Sequence, residues 1–184
     1  MNADAKSPDE AETPRARSRM LGSWSIRCSS KEDRDAILVF LAETGFFRDD
    51  ELLVAAEVLD EALAKGPAGH YQSCTAELAG RPVGWVCFGP TPCTLGTFDI
   101  YWIVVDRACQ HRGIGAALMR HAEKLIVERG GRLAVVETSS REIYDPTRGF
   151  YRKMGYPEAA RLKDFYAPGD DKVVYIKRLV SEHK

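Results

Sequence analysis

The chain has no long apolar run and no excess of charge of one sign. Its 184 residues include 26 Lys and Arg against 27 Asp and Glu, a formal net charge of −1. This balance gives no reason to expect nucleic acid or an anionic membrane as a partner. No stretch approaches the ~20 apolar residues of a transmembrane helix, and the N-terminus lacks a signal-type apolar segment. We therefore expect a cytoplasmic protein.

Disulfide and metal signals are missing as well. The five cysteines are an odd number without CxxC spacing, which is typical of reduced thiols rather than of a disulfide framework. The four histidines show no zinc-ligand grouping, so the sequence predicts no metal site.

The length and the hydrophobic content of 45% predict one domain with a sizeable core. Residues 1–20 have almost no large apolar side chains, which favours a disordered tail. The remaining residues, 21–184, form the predicted domain. Their periodicity predicts one strand, two helices, three strands, a helix, a strand, a helix and two final strands.

The most informative stretch joins a strand to a helix through a glycine loop. Residues 100–105 are all β-branched or aromatic, which predicts a central and fully buried strand. Gly113 and Gly115 then precede apolar residues at helical spacing. The first amides of a helix have no partner within it and carry partial positive charge. With Arg112 beside the loop, this junction predicts a phosphate or pyrophosphate site; a turn that merely starts a helix is the alternative.

Two familiar glycine loops do not match this one. Ala116 and Ala117 follow the last glycine, where the loop of NTPases needs Lys and then Ser or Thr. The dinucleotide fingerprint needs a third glycine.

A wider pattern is more specific. The order Gln110-x-x-Gly113-x-Gly115 after a strand resembles motif A of the GCN5-related N-acetyltransferases, the GNAT superfamily. Residues 151–156, YRKMGY, resemble its motif B. The resemblance covers about residues 24–179. It implies an α/β fold of the GNAT type, which is a mixed, mostly antiparallel twisted sheet with helices on both faces.

The resemblance also implies a function. We expect transfer of an acetyl group from acetyl-CoA, as co-substrate, to a primary amine by direct attack in a ternary complex. The acceptor is expected to be a small-molecule or peptide amine, and a homodimer is the default expectation. A non-catalytic acyl-CoA-binding sensor module is the alternative, because Tyr144 stands where motif B usually carries an Asn.

Coenzyme contacts carry over by position. In the family, loop amides hold the pyrophosphate, and the backbone of the central strand pairs with the pantetheine arm. The side chains of Ile103 and Val105 are expected to pack in the core in either case. Ser139 and Arg148 are candidate contacts in place of the missing Asn. The residues implied for coenzyme binding are Ile103, Val104, Val105, Gln110, His111, Arg112, Gly113, Ile114, Gly115, Ala116 and Ser139.

Two carboxylates are candidate bases for the acceptor amine. Family members place an acid on the central strand, and counting back from Val105 along alternate residues gives Asp99. In a regular strand Asp99 would share one face with Tyr101 and Ile103. Capping of the preceding loop is the alternative for Asp99. Glu137 is the second candidate, with a cross-strand salt bridge as its alternative.

Tyr151 stands where many family members use a tyrosine as general acid toward the coenzyme sulfur. A phenol with an ordinary pKa of ~10 is protonated at neutral pH and can donate. Packing against the sheet is the alternative for Tyr151.

The acceptor is expected between the first two helices. The family uses these helices and their connecting loop, which here holds Phe46 and Phe47. Trp85 and Tyr101 are expected to line the cleft from the sheet, although burial in the core is the commoner role of such side chains.

Overall fold

The fold is built on a seven-stranded sheet. The structure is a computed structural model that describes residues 23–179. Its strands are β1 (Trp24–Cys28), β2 (Gln72–Leu78), β3 (Arg81–Pro90), β4 (Thr97–Val105), β5 (Leu133–Ser139), β6 (Glu158–Ala167) and β7 (Asp170–Arg178). Their spatial order is β1-β2-β3-β4-β5-β7-β6, and only β4 and β5 are parallel within this sheet. The predicted tail, residues 1–20, lies outside the described residues.

The described part of the chain adds α-helices to both faces of this sheet. They are α1 (Arg34–Glu43), α2 (Asp49–Lys65), α3 (Ile114–Glu128) and α4 (Asp145–Lys153). The order of strands and helices and the mixed, mostly antiparallel sheet confirm the predicted fold class. No helix among residues 23–179 combines the length and the apolar character needed to cross a membrane.

Local sequence explains several element ends. Ala79 and Gly80 both have positive φ, 50° and 77°, which is the backbone of a tight hairpin between β2 and β3. At the start of α2 the Arg48 amide donates to the Glu51 carboxylate at 2.8 Å. Gly66, with φ of 56°, ends the same helix.

Two apolar clusters flank the sheet. The first lies under α3 and includes the fully buried Leu118 and Met119. The second lies under α1 and α2 and includes Trp85 and Val104. Burial of these side chains on both faces is the main force that holds the helices to the sheet.

The central strand β4 has a complete partner on one side only. It pairs with β3 along most of its length. Its parallel pairing with β5 covers only Thr97↔Leu133, Phe98↔Ala134 and Asp99↔Val135. Beyond these pairs the two strands separate, while β5 stays paired with β7 as far as Ser139.

A β-bulge in β4 lies where the strands separate. Cys87 pairs with Trp102, but the next residue of β3, Phe88, pairs with Ile100. Tyr101 is therefore an extra residue without a partner on β3. The residue is 36% exposed, so the prediction of a fully buried strand is wrong at this point. The sheet opens there and leaves the side chain uncovered.

The bulge also reverses the side-chain alternation. Ile103 and Val105 pack against the cluster under α3. The Tyr101 ring instead contacts Tyr71, which belongs to the cluster under α1 and α2. The prediction that Asp99 and Tyr101 share a face with Ile103 is therefore wrong, because it assumed a regular strand.

Candidate active site

A cleft of about 810 Å³ opens where β4 and β5 separate. Its walls come from the α1–α2 loop, the second half of β4, the start of α3, the end of β5 and α4. Most of the predicted site residues meet there. Those that line it are Phe46, Phe47, Tyr101, Ile103, Val104, Val105, Gln110, His111, Gly113, Ile114, Gly115, Ala116, Glu137, Ser139 and Tyr151.

The loop before α3 presents free main-chain amides. Among residues 23–179, no group accepts a hydrogen bond from the amides of His111 to Ala116. The first bond of the helix runs from the Ala117 amide to the Gly113 carbonyl at 3.0 Å. Gly113 has φ of 81°, and this left-handed conformation turns the chain into the helix. The amides can therefore hold a phosphate group at the helix N-terminus.

Side chains of the loop itself fasten it to β4. The Gln110 Nε2 donates to the Val105 carbonyl at 3.1 Å. Asp106 Oδ1 accepts from the Ala108 amide at 2.9 Å. The exposed Arg112 guanidinium donates to the Ala108 carbonyl at 3.3 Å and does not line the cleft. The prediction that Arg112 binds the coenzyme is supported by its main-chain amide, which belongs to the free series.

The open edge of β4 provides the second half of the site. From Ile100 to Val105 the strand has β3 on one side and no strand on the other within the described structure. A linear ligand with amide groups can add to such an edge as an extra strand. A diphosphate at the loop and an amide-containing arm along β4 are the chemistry of coenzyme A, so the residues present fit this group.

Tyr151 lies on α4 at the cleft, and its residue is only 6% exposed. Its ring packs against Tyr156 and Tyr175, with centroids 6.4 and 5.8 Å away. Burial raises the pKa of Tyr151 well above that of a free phenol. Among residues 23–179 its hydroxyl has no hydrogen-bond partner. It is a protonated donor aimed at no protein group.

Asp99 is half-buried at the point where β4 and β5 part. Its Oδ2 accepts a hydrogen bond from Thr91 Oγ1 at 2.8 Å. Burial raises the pKa of Asp99, and the negative charge of Glu137 adds to this shift. The side chain does not line the cleft, so any contact with a ligand would pass through another group.

Glu137 lines the cleft from β5. Its Oε2 forms a salt bridge with Lys172 Nζ of β7 at 2.6 Å. This is the cross-strand pair that was the alternative to a role as base.

Aromatic side chains form the wall opposite α3. Phe47 packs edge-on against Trp102 at 5.0 Å between centroids. Tyr144 packs against Phe46 at 5.7 Å, and its hydroxyl donates to the Phe46 carbonyl at 3.0 Å. Tyr166 adds a further ring from β6, and burial raises its pKa to about 12. We call this surface the aromatic wall.

Three carboxylates line the cleft, and each has a cationic partner. The pairs are Arg48 with Glu51 at 3.8 Å, Arg141 with Asp170 at 3.3 Å, and Lys172 with Glu137 at 2.6 Å. Arg48 is shared with Asp50, which lies 3.0 Å away. Among the residues that line the cleft, the three carboxylates are matched by three cations, Arg48, Arg141 and Lys153.

Three of the predicted contact residues are engaged within the protein. Trp85 is fully buried and does not line the cleft, because its indole N–H donates to Ser73 Oγ at 2.8 Å inside the second core cluster. The Ser139 hydroxyl donates to Asp170 at 2.6 Å, so it is already engaged within the protein. Arg148 is buried and donates to the carbonyls of Ser139 and Arg141, at 2.6 and 2.9 Å.

A family model for the GNAT acetyltransferases matches residues 35–156, which is more than half of the chain. The chain belongs to the GNAT family of acetyltransferases. Acetyl transfer is the general activity of this family, and the predicted resemblance is confirmed. Among residues 23–179 of this chain, no group of three or more His, Cys, Asp or Glu side chains could hold a metal ion.

Individual relatives agree with this assignment. An uncharacterized N-acetyltransferase from Methanocaldococcus jannaschii is 29% identical over 59% of this chain and 68% of its own length. The crystal structure of a GNAT-family protein from Desulfovibrio desulfuricans has a TM-score of 0.82 and 38% identity, covering 86% of this chain and 100% of that one. An aminoglycoside 6'-N-acetyltransferase complexed with coenzyme A has the same fold, with a TM-score of 0.70, 16% identity, and coverage of 87% and 99%.

Sequence reasoning missed several residues of this GNAT site. Tyr144 was noted only as a departure from motif B, and its bond across the cleft to Phe46 was not foreseen. Tyr166 and Lys172 lie on the last two strands, for which no motif was available. Of these three residues, only Tyr144 could have been found from the sequence, because it occupies the motif B position where an Asn is usual.

The two loop glycines are expected to respond differently to alanine. Gly113→Ala should destabilise the protein by about 1 kcal/mol, because an L-residue resists positive φ. Gly115 has no positive φ, and a Cβ there would be 3.6 Å from Val105, so Gly115→Ala should leave stability unchanged or slightly raised. Urea unfolding of the ligand-free protein measures both. Equal destabilisation by the two variants would contradict this account of the loop.

Proposed function

We propose that this GNAT protein transfers the acetyl group of acetyl-CoA to a primary amine by direct attack in a ternary complex. The observation that carries the proposal is that free amides at the start of α3 and the open edge of β4 border one cleft. The coenzyme A complex of the aminoglycoside acetyltransferase, which has the same fold, supports this use of the cleft.

Each side of the cleft has a role in this proposal. Acetyl-CoA supplies the thioester, with its diphosphate on the amides of residues 111–116 and its arm along residues 103–105. The acceptor nitrogen forms the new C–N bond as the C–S bond breaks. Tyr151 gives its proton to the departing thiolate, and the second proton that the acceptor nitrogen loses as the amide forms restores the Tyr151 phenol. The high pKa of Tyr151 keeps the phenol protonated until that step.

Proton removal from the acceptor ammonium is assigned to the end of the cleft near the strand separation. Asp99 remains the first candidate base, because burial makes its carboxylate more basic than an exposed one. It would act through a water or another side chain. Glu137 remains the second candidate, since it lines the cleft directly but is paired with Lys172.

We further propose that the acceptor has one ammonium group and an apolar or aromatic body. The aromatic wall offers rings to such a body, and amines bind well over aromatic faces. Because every carboxylate of the cleft has a cationic partner, no surplus negative charge favours a polycation. Small amines and the amino groups of peptides both satisfy this description.

An amine panel tests the function and the acceptor class together. Thiol release from acetyl-CoA is measured with phenethylamine, propylamine, spermidine, an aminoglycoside and an aromatic-residue peptide. We expect turnover, with kcat/KM for phenethylamine at least tenfold above that for spermidine. Preference for spermidine would contradict the acceptor class while leaving the transferase function in place.

The alternative is a sensor that binds acyl-CoA without turnover. The observation that favours it is Tyr144, which replaces the usual Asn and joins the two walls of the cleft. A rise in melting temperature with acetyl-CoA, combined with no thiol release for any amine, would establish this alternative.

Tyr151→Phe is expected to lower kcat by about 100-fold or more, because the thiolate loses its proton donor. Tyr175→Phe is the matched control. It removes a neighbouring buried hydroxyl that has no partner among the described residues, and it should leave kcat unchanged. Wild-type kcat in Tyr151→Phe would remove the assignment of this residue as general acid.

Asp99→Asn is expected to lower kcat/KM and to raise stability at pH 7. The pKa of Asp99 in the folded protein lies above its ordinary value of 3.8. Wild-type stability therefore falls as the pH rises from 3.8 to the folded-state pKa. Asparagine does not titrate, so the variant does not lose this stability. The difference in unfolding free energy between the variant and the wild type should shrink toward pH 3.8. Urea unfolding at both pH values and thiol release measure the two effects.

Glu137→Gln is the comparison that ranks the two candidate bases. A larger loss of kcat/KM in Asp99→Asn supports Asp99 as the source of basicity. A larger loss in Glu137→Gln moves that assignment to Glu137.

A further inference from the structure

Tyr101 connects the cleft to a histidine outside it. Tyr101 lines the cleft from the bulge of β4, whereas His70, just before β2, does not line it. The Tyr101 hydroxyl and His70 Nε2 lie within hydrogen-bond distance at 3.2 Å. His70 is partly exposed, so its ring reaches from the cleft residue toward solvent.

The surroundings of this pair are built to hold both rings. Tyr71 packs edge-on against His70 at 4.8 Å and against Tyr101 at 5.3 Å between centroids. Gly89 on β3 leaves the space that they need. A Cβ at Gly89 would lie 2.7 Å from the His70 carbonyl oxygen and 3.3 Å from the Tyr101 ring. A glycine inside a strand weakens the strand and is typical of close approach by another group.

The charges near the pair favour proton movement through it. Asp99 interacts electrostatically with both His70 and Tyr101. The other titratable groups that face Tyr101 are Tyr71 and Cys87. Burial raises the pKa of Tyr101, so its phenol passes a proton on rather than keeping a negative charge. A positive charge that forms on His70 lowers the pKa of Asp99 and so favours the carboxylate.

We propose that Tyr101 and His70 form the relay that carries the acceptor's proton from the cleft to solvent. This inference rests on the proposed transferase function. An N–H bond of the acceptor ammonium breaks, and its proton passes to Tyr101 Oη. The former hydroxyl proton of Tyr101 passes to His70 Nε2. The amine becomes neutral, Tyr101 is unchanged in charge, and the His70 imidazolium releases a proton to water.

This relay gives Asp99 a role that fits its position. Asp99 does not line the cleft, so it does not reach the acceptor directly. It interacts electrostatically with His70 and Tyr101, the two members of the relay. Histidine suits the receiving end because a ring nitrogen of the neutral imidazole accepts a proton.

The test compares pH profiles of kcat/KM for the wild type and for His70→Gln. Glutamine stays polar but takes up no proton, so we expect a fall of about tenfold or more at pH 7. The rate of the variant should keep rising with pH where the wild-type rate is already level. His121→Gln is the matched control, since His121 lies on α3 away from the cleft lining.

Chemical rescue separates a relay from a structural role. Added imidazole should restore activity to His70→Gly, because it can occupy the vacated space and accept the proton. It should not restore the double variant His70→Gly with Tyr101→Phe. The melting temperature of each variant is measured to check that it folds. If His70→Gln does not fold, His70→Asn is used in its place.

The outcomes separate the relay from the function on which it rests. A wild-type rate and pH profile in His70→Gln, or no rescue of His70→Gly, would overturn the relay while acetyl transfer stands. Absence of turnover in the wild-type protein with every amine would instead overturn the transferase function.

Discussion

The separation of β4 from β5 after Asp99↔Val135 is the constraint on which the rest of the site depends. Within a sheet, main-chain donors and acceptors are normally paired, and an unpaired edge is a liability. Here the unpaired edge lies inside a cleft rather than at the rim of the sheet. A ligand that carries its own amide groups can therefore complete the sheet locally.

The opening persists because each strand is held from its other side. β3 pairs with β4, and β7 pairs with β5 as far as Ser139. Arg148 holds the end of β5 against α4 through the carbonyls of Ser139 and Arg141. Tyr144 directly precedes α4, and its hydroxyl donates a hydrogen bond to the Phe46 carbonyl in the α1–α2 loop. These contacts keep the walls apart at a set distance, as preorganised binding requires.

Burial acts on two acids at this site with opposite chemical consequences. It raises the pKa of Asp99, which makes the carboxylate a better proton acceptor. It raises the pKa of Tyr151, which keeps the phenol protonated as a donor. One physical effect, the cost of charge in a low-dielectric environment, thus raises the pKa of both groups, which favours the protonated form of each.

Local chemistry could be predicted from the sequence by itself. The order of strands and helices follows from apolar periodicity, and the free amides follow from glycine at the start of α3. Gly113 was predicted in this way, whereas Tyr151 was predicted from the resemblance of residues 151–156 to a family motif.

Only the tertiary structure decided the remaining roles. Nothing local to β4 indicates the bulge at Tyr101, since it arises from pairing with β3. Trp85 was predicted to line the cleft, but tertiary packing buries it completely. Tyr101 and His70 are 31 positions apart, and they meet because two strands and a loop converge. Register, burial and contacts between distant residues come from packing of the whole chain, whereas periodicity and turn chemistry come from adjacent residues.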